Sequence, residues 1–187
     1  WRGRLNQSIK AELLVEIGTE REFHGRFHAI FDAMKEVKSF DAGLGPRFFS
    51  DLDEHDAGLV VLIARKDGED AGGLVLSVLG DTAVDLFAAT NNTGRDTRAG
   101  YYLRWVAMQY LKKRGCRWYD LGGIDATDNY GGFEFKSRMG GEIVDAVGPF
   151  KIAPRGVIAA LMDNALTLRQ RMARRHVPPQ MPEQTSE

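Results

Sequence analysis

Residues 130–144, YGGFEFKSRMGGEIV, combine aromatic and basic side chains in a pattern suited to binding an anion. Lys136 and Arg138 are cations that can contact a phosphate or a carboxylate. Phe133 and Phe135 can anchor a short helix or offer a ring face to a base. This segment is therefore the first candidate for a substrate-binding site.

The same segment also has a purely structural interpretation. Phe133 and Phe135 are then core residues, and Lys136 and Arg138 are solvated surface charges. Both interpretations remain open for Arg138, whereas we favour a functional one for Lys136. In either case Gly140-Gly141 allows the chain to turn sharply after the segment.

A second candidate group lies just upstream in RWYDLGGID, where Tyr119 and Asp120 precede Gly122-Gly123. A carboxylate in an apolar strand needs a polar partner. Asp120 therefore either caps the following loop or orients an attacking amine. The sequence has no Ser-His-Asp or Cys-His pattern, so we expect no covalent enzyme intermediate of that kind.

Composition limits the class of protein. The chain has 187 residues, 43% of them hydrophobic, and a formal net charge of −1. We therefore expect one compact domain over 1–175, a disordered proline-rich tail over 176–187, and no overall attraction to polyanions. A single cysteine, Cys116, excludes an internal disulfide. His24 and His28 have the spacing of a metal pair but lack a third ligand, so we expect no metal site.

No stretch approaches the roughly 20 apolar residues of a membrane span, and there is no signal-peptide pattern. We therefore expect a cytoplasmic protein without stable membrane insertion. The chain opens at Trp1, not at a methionine, and has helical character from its first residues, so we expect a fragment with more protein upstream.

Hydrophobic spacing predicts strands and helices in turn. The predicted strands cover 12–18, 58–68, 71–81, 82–90, 116–124 and 142–153. The predicted helices cover 2–10, 19–37, 46–55, 97–115, a short stretch within 130–144, and 156–175. The strand at 116–124 is expected to be buried, and 91–100 to form a polar loop. Three successive strands followed by a helical crossover predict an α/β (α+β) fold, with a mixed, mostly antiparallel central sheet flanked by helices.

Two stretches resemble one known protein family. The run WYDLGGID (118–125), followed by GGFEFKSRMGGEIVDAVGPF (131–150), is similar to the C-terminal acyltransferase half of the FemA/FemB/FemX family. These are the non-ribosomal peptidyl transferases of cell-wall bridge synthesis. The opening run WRGRLNQSIKAELLVEIG (1–18) resembles the beginning of that family's second domain. The resemblance implies a GNAT-like acyl-CoA N-acyltransferase fold.

The resemblance also implies roles for individual residues. Lys136 matches a lysine that faces the acyl donor, so Lys136 and Asp120 are the expected catalytic residues. The segment 91–100 lies where GNAT acetyltransferases carry their pyrophosphate loop, although a simple polar loop capped by Thr97 explains it equally well. The expected substrate-binding residues are Tyr119, Arg95, Arg98, Phe133, Phe135 and Arg138.

The implied reaction moves an aminoacyl group from the acceptor end of an aminoacyl-tRNA to an amine of a peptidoglycan precursor, either a UDP-muramyl peptide or lipid II. No cofactor is expected, because the acyl donor is a co-substrate. One alternative is an N-acyltransferase that uses acetyl-CoA in polysaccharide or small-amine metabolism, although the full coenzyme A pattern is absent from 91–100. A second alternative is a non-catalytic binding module.

Overall fold

The structure is a computed structural model that describes residues 1–38, 45–53, 58–124, 126–127, 129–145 and 165. The chain divides into two compact units. The first comprises Trp1–Lys38 with Gly43–Ile143 and contains all the strands and helices given below. The second, Ser39–Ala42 with Val144–Glu187, lies almost entirely outside the described residues.

The first unit is built on a five-stranded sheet whose strands lie side by side in chain order. The strands are β1 (Leu14–Gly18), β2 (Leu59–Lys66), β3 (Glu69–Leu79), β4 (Thr82–Thr90) and β5 (Trp118–Asp120). Strands β1 to β4 pair antiparallel, and β5 pairs parallel with β4. A parallel pair needs a crossover connection, which the helices between β4 and β5 supply. The mixed, mostly antiparallel sheet predicted from the sequence is thereby confirmed.

Helices cover both faces of this sheet. They are α1 (Arg2–Lys10), α2 (Arg21–Lys38), α3 (Pro46–Asp53), α4 (Asn92–Asp96), α5 (Ala99–Lys113) and α6 (Tyr130–Ser137). On β2, Leu62 belongs to one buried cluster with Leu103 of α5. The next residue, Ile63, faces the other way and borders Gly73 together with Phe27 of α2. Alternation along the strands therefore divides the core between α5 and α2.

A β-bulge determines which side chains of β4 lie beneath α5. Leu76 of β3 pairs with Asp85, and the register shifts at this point so that Leu86 is the additional residue. Asp85 consequently shares the α5 face with Leu76. Phe87 lies on the α2 face, where its ring packs edge-on against Phe31 at 6.1 Å between centroids.

The prediction of a polar loop over the whole of 91–100 is wrong. The Asn91 side chain accepts a hydrogen bond from the Gly94 amide at 2.9 Å and so begins the short helix α4. Gly94 lies so close to β3 that an added Cβ would overlap the carbonyl of Ala71. Capping by asparagine and the close approach of a glycine backbone convert a turn-like sequence into a helical turn.

The strand predicted at 116–124 is shorter and more exposed than expected. β5 has three residues, and Trp118 is 63% exposed, because β5 has β4 as its only partner among the described strands. Of the strand predicted at 142–153, residues 142–145 have no regular secondary structure, and the remainder lies outside the described residues. The helix predicted at 156–175, apart from residue 165, and the tail 176–187 also lie outside them.

None of the helices in the described ranges is both long enough and apolar enough to cross a bilayer.

Candidate active site

The candidate site lies where β4 and β5 stop pairing. Their ladder ends at Val84 and Asp120, so Asp85 is the first residue of β4 beyond it. The chain leaves β5 through Gly122, whose φ of +74° favours glycine. A Cβ added to Gly122 would lie 3.3 Å from the Asp85 carbonyl oxygen and 3.7 Å from Nζ of Lys136. Glycine at this position lets the lysine approach the end of the sheet.

Lys136 lies on the short helix α6, which begins at an asparagine cap. The Asn129 side chain accepts a hydrogen bond from the Gly132 amide at 3.0 Å. Nζ of Lys136 donates to the carbonyl of Gly123 at 2.9 Å. Burial lowers the pKa of the Lys136 ammonium, and the Asp85 carboxylate opposes that shift. The site therefore holds a half-buried cation whose further donor hydrogens can bind an anionic ligand.

A buried ion pair lies directly behind this lysine. Nε of Arg104 donates a hydrogen bond to Oδ2 of Asp85 at 2.9 Å, and Nη2 lies 2.8 Å from the same oxygen in an ion pair. The two side chains are only 9% and 4% exposed. Burial raises the pKa of Asp85 even though Arg104 acts in the opposite direction. The pair joins α5 to β4 at the point where the sheet opens.

Aromatic rings connect this ion pair to the surface of the unit. The guanidinium of Arg104 lies over the Phe135 ring at 4.7 Å from its centroid. Tyr101 packs against the same ring at 4.6 Å, and Trp1 packs against Tyr101 at 5.6 Å. Helices α1, α5 and α6 thus meet in one aromatic and cationic cluster next to Lys136.

Tyr119 lines the site from β5. Its ring packs against the α5 core, and its buried hydroxyl lies near the Asp85 carboxylate but forms no hydrogen bond of ordinary geometry within the described residues. Burial raises the pKa of this phenol, and the nearby charge of Asp85 raises it further. The hydroxyl is therefore a neutral polar group facing the Asp85 carboxylate.

Asp120 has the geometry of a loop cap. Its Oδ1 accepts a hydrogen bond from the Gly122 amide at 2.7 Å. The carboxylate is exposed and close enough to Lys136 to favour its charged form. This capping contact does not test the predicted role of Asp120 in orienting an attacking amine, which stays a prediction.

The remaining aromatic and basic predictions on α6 divide into two groups. Phe135 is part of the cluster described above, whereas Phe133 packs beside Tyr130 at 6.3 Å between centroids. Arg138 is 60% exposed and forms an ion pair with Glu134, one turn earlier, at 2.7 Å. Arg138 thus has the contacts of a solvated helix charge.

Arg95 and Arg98 bind within their own segment. Arg95 donates to the Thr90 carbonyl and the Asn92 side chain, and Arg98 donates to the Arg95 carbonyl at 3.4 Å. These hydrogen bonds join residues within 90–98, whereas Lys136 donates to Gly123. Their role in substrate binding stays a prediction.

Sequence analysis missed Asp85 and Arg104. A signal for both was present, since Asp85 interrupts the apolar strand TAVDLFAAT and Arg104 adjoins Leu103 in the apolar stripe of α5. Charged side chains are almost never fully buried unless they are paired. An aspartate and an arginine in two otherwise apolar elements therefore indicate a buried pair.

Histidines and carboxylates do not converge on a metal site in the described ranges, where no cluster of three or more His, Cys, Asp or Glu side chains is close enough to hold an ion. His28 instead contacts the Ser50 hydroxyl at 2.9 Å.

Comparison with known proteins agrees with this architecture. The sequence profile of the FemAB family matches residues 61–166. The lipid II:glycine glycyltransferase of Staphylococcus haemolyticus (strain JCSC1435) is 25% identical over 95 residues, which are 48% of this chain and 23% of that protein. The chain thus spans about a quarter of the length of the curated relative it matches.

Two solved structures show the same fold. FemX superposes with a TM-score of 0.63 and 16% identity, over 72% of this chain and 52% of FemX. An aminoglycoside acetyltransferase from an uncultured soil metagenomic sample, meta-AAC0020, superposes with a TM-score of 0.57 and 19% identity, over 79% of this chain and 99% of that enzyme. These likenesses confirm the predicted GNAT-like fold. Since the family profile covers more than half of the sequence, the chain belongs to the FemAB family.

Proposed function

We propose that this chain is the acyl-transferring domain of an aminoacyltransferase that adds an amino acid to an amine of a peptidoglycan precursor. Family membership and the glycyltransferase relative support the reaction class. The observation that carries the proposal is the half-buried Lys136 ammonium, held on the Gly123 carbonyl at the open end of the β4–β5 ladder. A fixed cation at that point suits an anionic acyl donor.

In the proposed reaction, the precursor amine attacks the ester carbonyl carbon of an aminoacyl-tRNA. A C–N bond forms, the ester C–O bond breaks, and the proton lost by the amine ends on the departing 3′ oxygen. Lys136 binds a phosphate of the donor, and the Phe135 ring supports the helix that carries it. Positioning the two reactants accounts for the catalysis, and no covalent enzyme intermediate is needed.

The proposal predicts a specific pH dependence. Lys136 binds the donor only while it is protonated, and burial lowers its pKa. Donor binding should therefore weaken as pH rises through this lowered pKa, at a pH below that at which an exposed lysine loses its proton. Titrating the purified chain with an aminoacylated acceptor-stem RNA at a series of pH values measures the effect.

The direct test is Lys136→Ala, with Arg138→Ala as its matched control. Both remove one cation from the same helix, but Arg138 is solvated and paired with Glu134. A charge-assisted hydrogen bond is worth about 1.5–3 kcal/mol, so Lys136→Ala should weaken binding of the RNA mimic by about one to two orders of magnitude. Arg138→Ala should change it less than about two-fold. Unchanged binding and transfer in a folded Lys136→Ala protein would remove this lysine from the mechanism.

The same titration separates the alternative functions. Saturable binding of acetyl-CoA without binding of the RNA mimic would replace the donor by an acyl-CoA. Binding of a UDP-muramyl pentapeptide without either donor would favour a binding module. Transfer of labelled glycine from the RNA mimic to that pentapeptide is the positive result that the proposal requires.

A further inference from the structure

Helix α6 carries Lys136 and is packed only in part against the described residues. It buries none of its eight residues completely. Within the described part of the chain, the ring contacts of Phe135 and the hydrogen bond from Lys136 to Gly123 join it to the rest of the unit. Helix stability in proteins comes mainly from tertiary packing, so a helix this short depends strongly on those contacts.

The Phe135 contact in turn depends on Asp85. The Arg104 guanidinium lies over the Phe135 ring, and its hydrogen bond and ion pair with Oδ2 of Asp85 hold it there. The chain of contacts runs from Asp85 through Arg104 and Phe135 to Lys136.

We propose that Asp85 and Arg104 are positioning residues, which hold Phe135 and Lys136 of α6 in the arrangement that binds the acyl donor. This inference rests on the proposed function, because the acyl donor is part of that proposal. Neither residue touches the donor in the proposal, and both act through α6. The pair accordingly differs from Lys136, which contacts the donor directly.

The pKa of Lys136 can be measured to test the proposal. A residue that only stabilised the fold would leave this pKa unchanged. Burial lowers the pKa of Lys136, the charge of Arg104 lowers it further, and the carboxylates of Asp85 and Asp120 raise it. These groups face Lys136 from β4, α5 and β5. Replacing Asp85 by asparagine removes a carboxylate while leaving Arg104 charged, so the pKa of Lys136 should fall.

Four variants of the full 187-residue chain test the inference. Asp85→Asn removes the charge of the carboxylate, and Arg104→Lys keeps the charge but loses the planar fork. The double variant Asp85→Asn/Arg104→Met leaves no unpaired buried charge and is the version expected to fold even where the single variants do not. Asp70→Asn is the control, because Asp70 binds Arg26 by two similar hydrogen bonds at 2.9 and 2.7 Å, away from Lys136.

The first measurement is the titration of the Lys136 ε-amine by NMR of carbon-13-labelled lysine, assigned with Lys136→Arg. Asp85→Asn should lower its midpoint, because the Asp85 carboxylate raises the pKa of Lys136, and Asp70→Asn should leave it unchanged. The second measurement is the affinity for the acceptor-stem RNA mimic. Asp85→Asn, Arg104→Lys and the double variant should each weaken it about ten-fold or more, although the double variant regains thermal stability.

Two results would overturn the inference. One is an unchanged Lys136 titration in a folded Asp85→Asn protein. The other is a double variant that binds the RNA mimic as well as the parent chain. If the parent chain binds no donor at all, the proposed function fails, whereas the Lys136 titration still decides whether Asp85 acts on this lysine.

Discussion

Arg26 and Arg104 are bound in nearly the same way at two places in the sheet. Arg26 donates to Asp70 at 2.9 and 2.7 Å and lies over the Phe23 ring at 5.3 Å. Arg104 donates to Asp85 from Nε at 2.9 Å, forms an ion pair with it from Nη2 at 2.8 Å, and lies over the ring of Phe135 at 4.7 Å. In each case an arginine on a helix meets an aspartate on a strand and stacks on a phenylalanine.

The surroundings of the two pairs differ. Arg26 and Asp70 are 21% and 25% exposed, and Arg26 also binds Glu16. The hydrogen bond from Arg26 holds the pKa of Asp70 below its usual range. The pair of Arg104 and Asp85 is almost fully buried, and the same kind of bond does not prevent burial from raising the pKa of Asp85. Solvent exposure therefore decides the direction of the shift.

The two arginine–phenylalanine contacts also differ in the helices that they join. Phe23 belongs to the same helix as Arg26, so stacking there adds to a local network that fastens α2 to β1 and β3. Phe135 belongs to α6, a separate helix that carries Lys136. The same three residue types thus stabilise the fold at one place and position a candidate catalytic side chain at the other.

The largest expected difference between the pairs is in stability. Asp85→Ala leaves Arg104 buried without a partner, which should cost about 3–5 kcal/mol at neutral pH. Asp70→Ala leaves Arg26 partly solvated and still bound to Glu16, so the loss should stay near about 1–2 kcal/mol. Urea unfolding of the two variants measures both values. Equal losses would mean that burial does not distinguish the pairs.

The next-largest effects are expected from alanine substitutions at two glycines with positive φ. Gly122 and Gly68 have φ values of +74° and +89°, so alanine at either position should cost about 1–2 kcal/mol in backbone strain. Only at Gly122 would the new methyl group lie in the candidate site, tight against the Asp85 carbonyl oxygen at 3.3 Å and in contact with Lys136, since nothing lies within 4 Å at Gly68. Donor affinity should therefore fall in Gly122→Ala and stay constant in Gly68→Ala. A loss in both variants would indicate a general effect of destabilisation.

The pH dependence of stability should change in opposite directions at the two aspartates. The pKa of Asp70 is lowered by folding, so its ion pair stabilises the protein above the unfolded pKa of about 3.9 and is lost as pH falls through the lower native value. Asp70→Asn should therefore make the free energy of unfolding less sensitive to acid. The measurement is urea unfolding between neutral pH and about pH 3.

Asp85 should affect the pH dependence of stability in the opposite direction. Its pKa is raised by folding, so its contribution is fully present below the unfolded pKa and is lost as pH rises through the higher native value. Removing it in Asp85→Asn should make stability fall more steeply on acidification than in the parent chain. The same slope change in both variants would contradict the assigned directions.

The smallest effect is expected on the solvated face of α6. Glu134→Ala breaks the exposed pair with Arg138, which should cost only about 0.3–0.5 kcal/mol and decrease with added salt. Thermal unfolding at low and high salt checks this value. A larger loss would show that the outer face of α6 also contributes to holding Lys136.

Much of the fold could be predicted because its elements have strong local patterns. Apolar alternation and turn-forming residues located β2, β3 and β4, and the stripe of Leu103, Ala107 and Leu111 identified α5. The errors at α4 and β5 arose where a tertiary contact overrides local propensity. Gly94 packs against β3, and β5 has a single neighbour, β4, in the part of the sheet that the structure describes.

The candidate site was only partly predictable. Lys136, Phe135 and Tyr119 lie in short runs whose composition is unusual, so they could be selected from the sequence. Asp85 and Arg104 are separated by nineteen positions and lie in different elements, and no local pattern states that they meet. The bulge at Leu86, which turns Asp85 toward α5, is likewise a property of the paired strands.

By itself, the sequence determined the order of strands and helices, the mostly antiparallel sheet, the turn glycines and the presence of a cation on a short aromatic helix. These features depend on the period of side chains along one segment, which neighbouring residues set. Only the tertiary structure decided that Asp85 binds Arg104 and that Lys136 is half-buried beside them. Burial and charge pairing depend on which segments, far apart in the sequence, pack together and exclude water. Local sequence patterns do not give that arrangement.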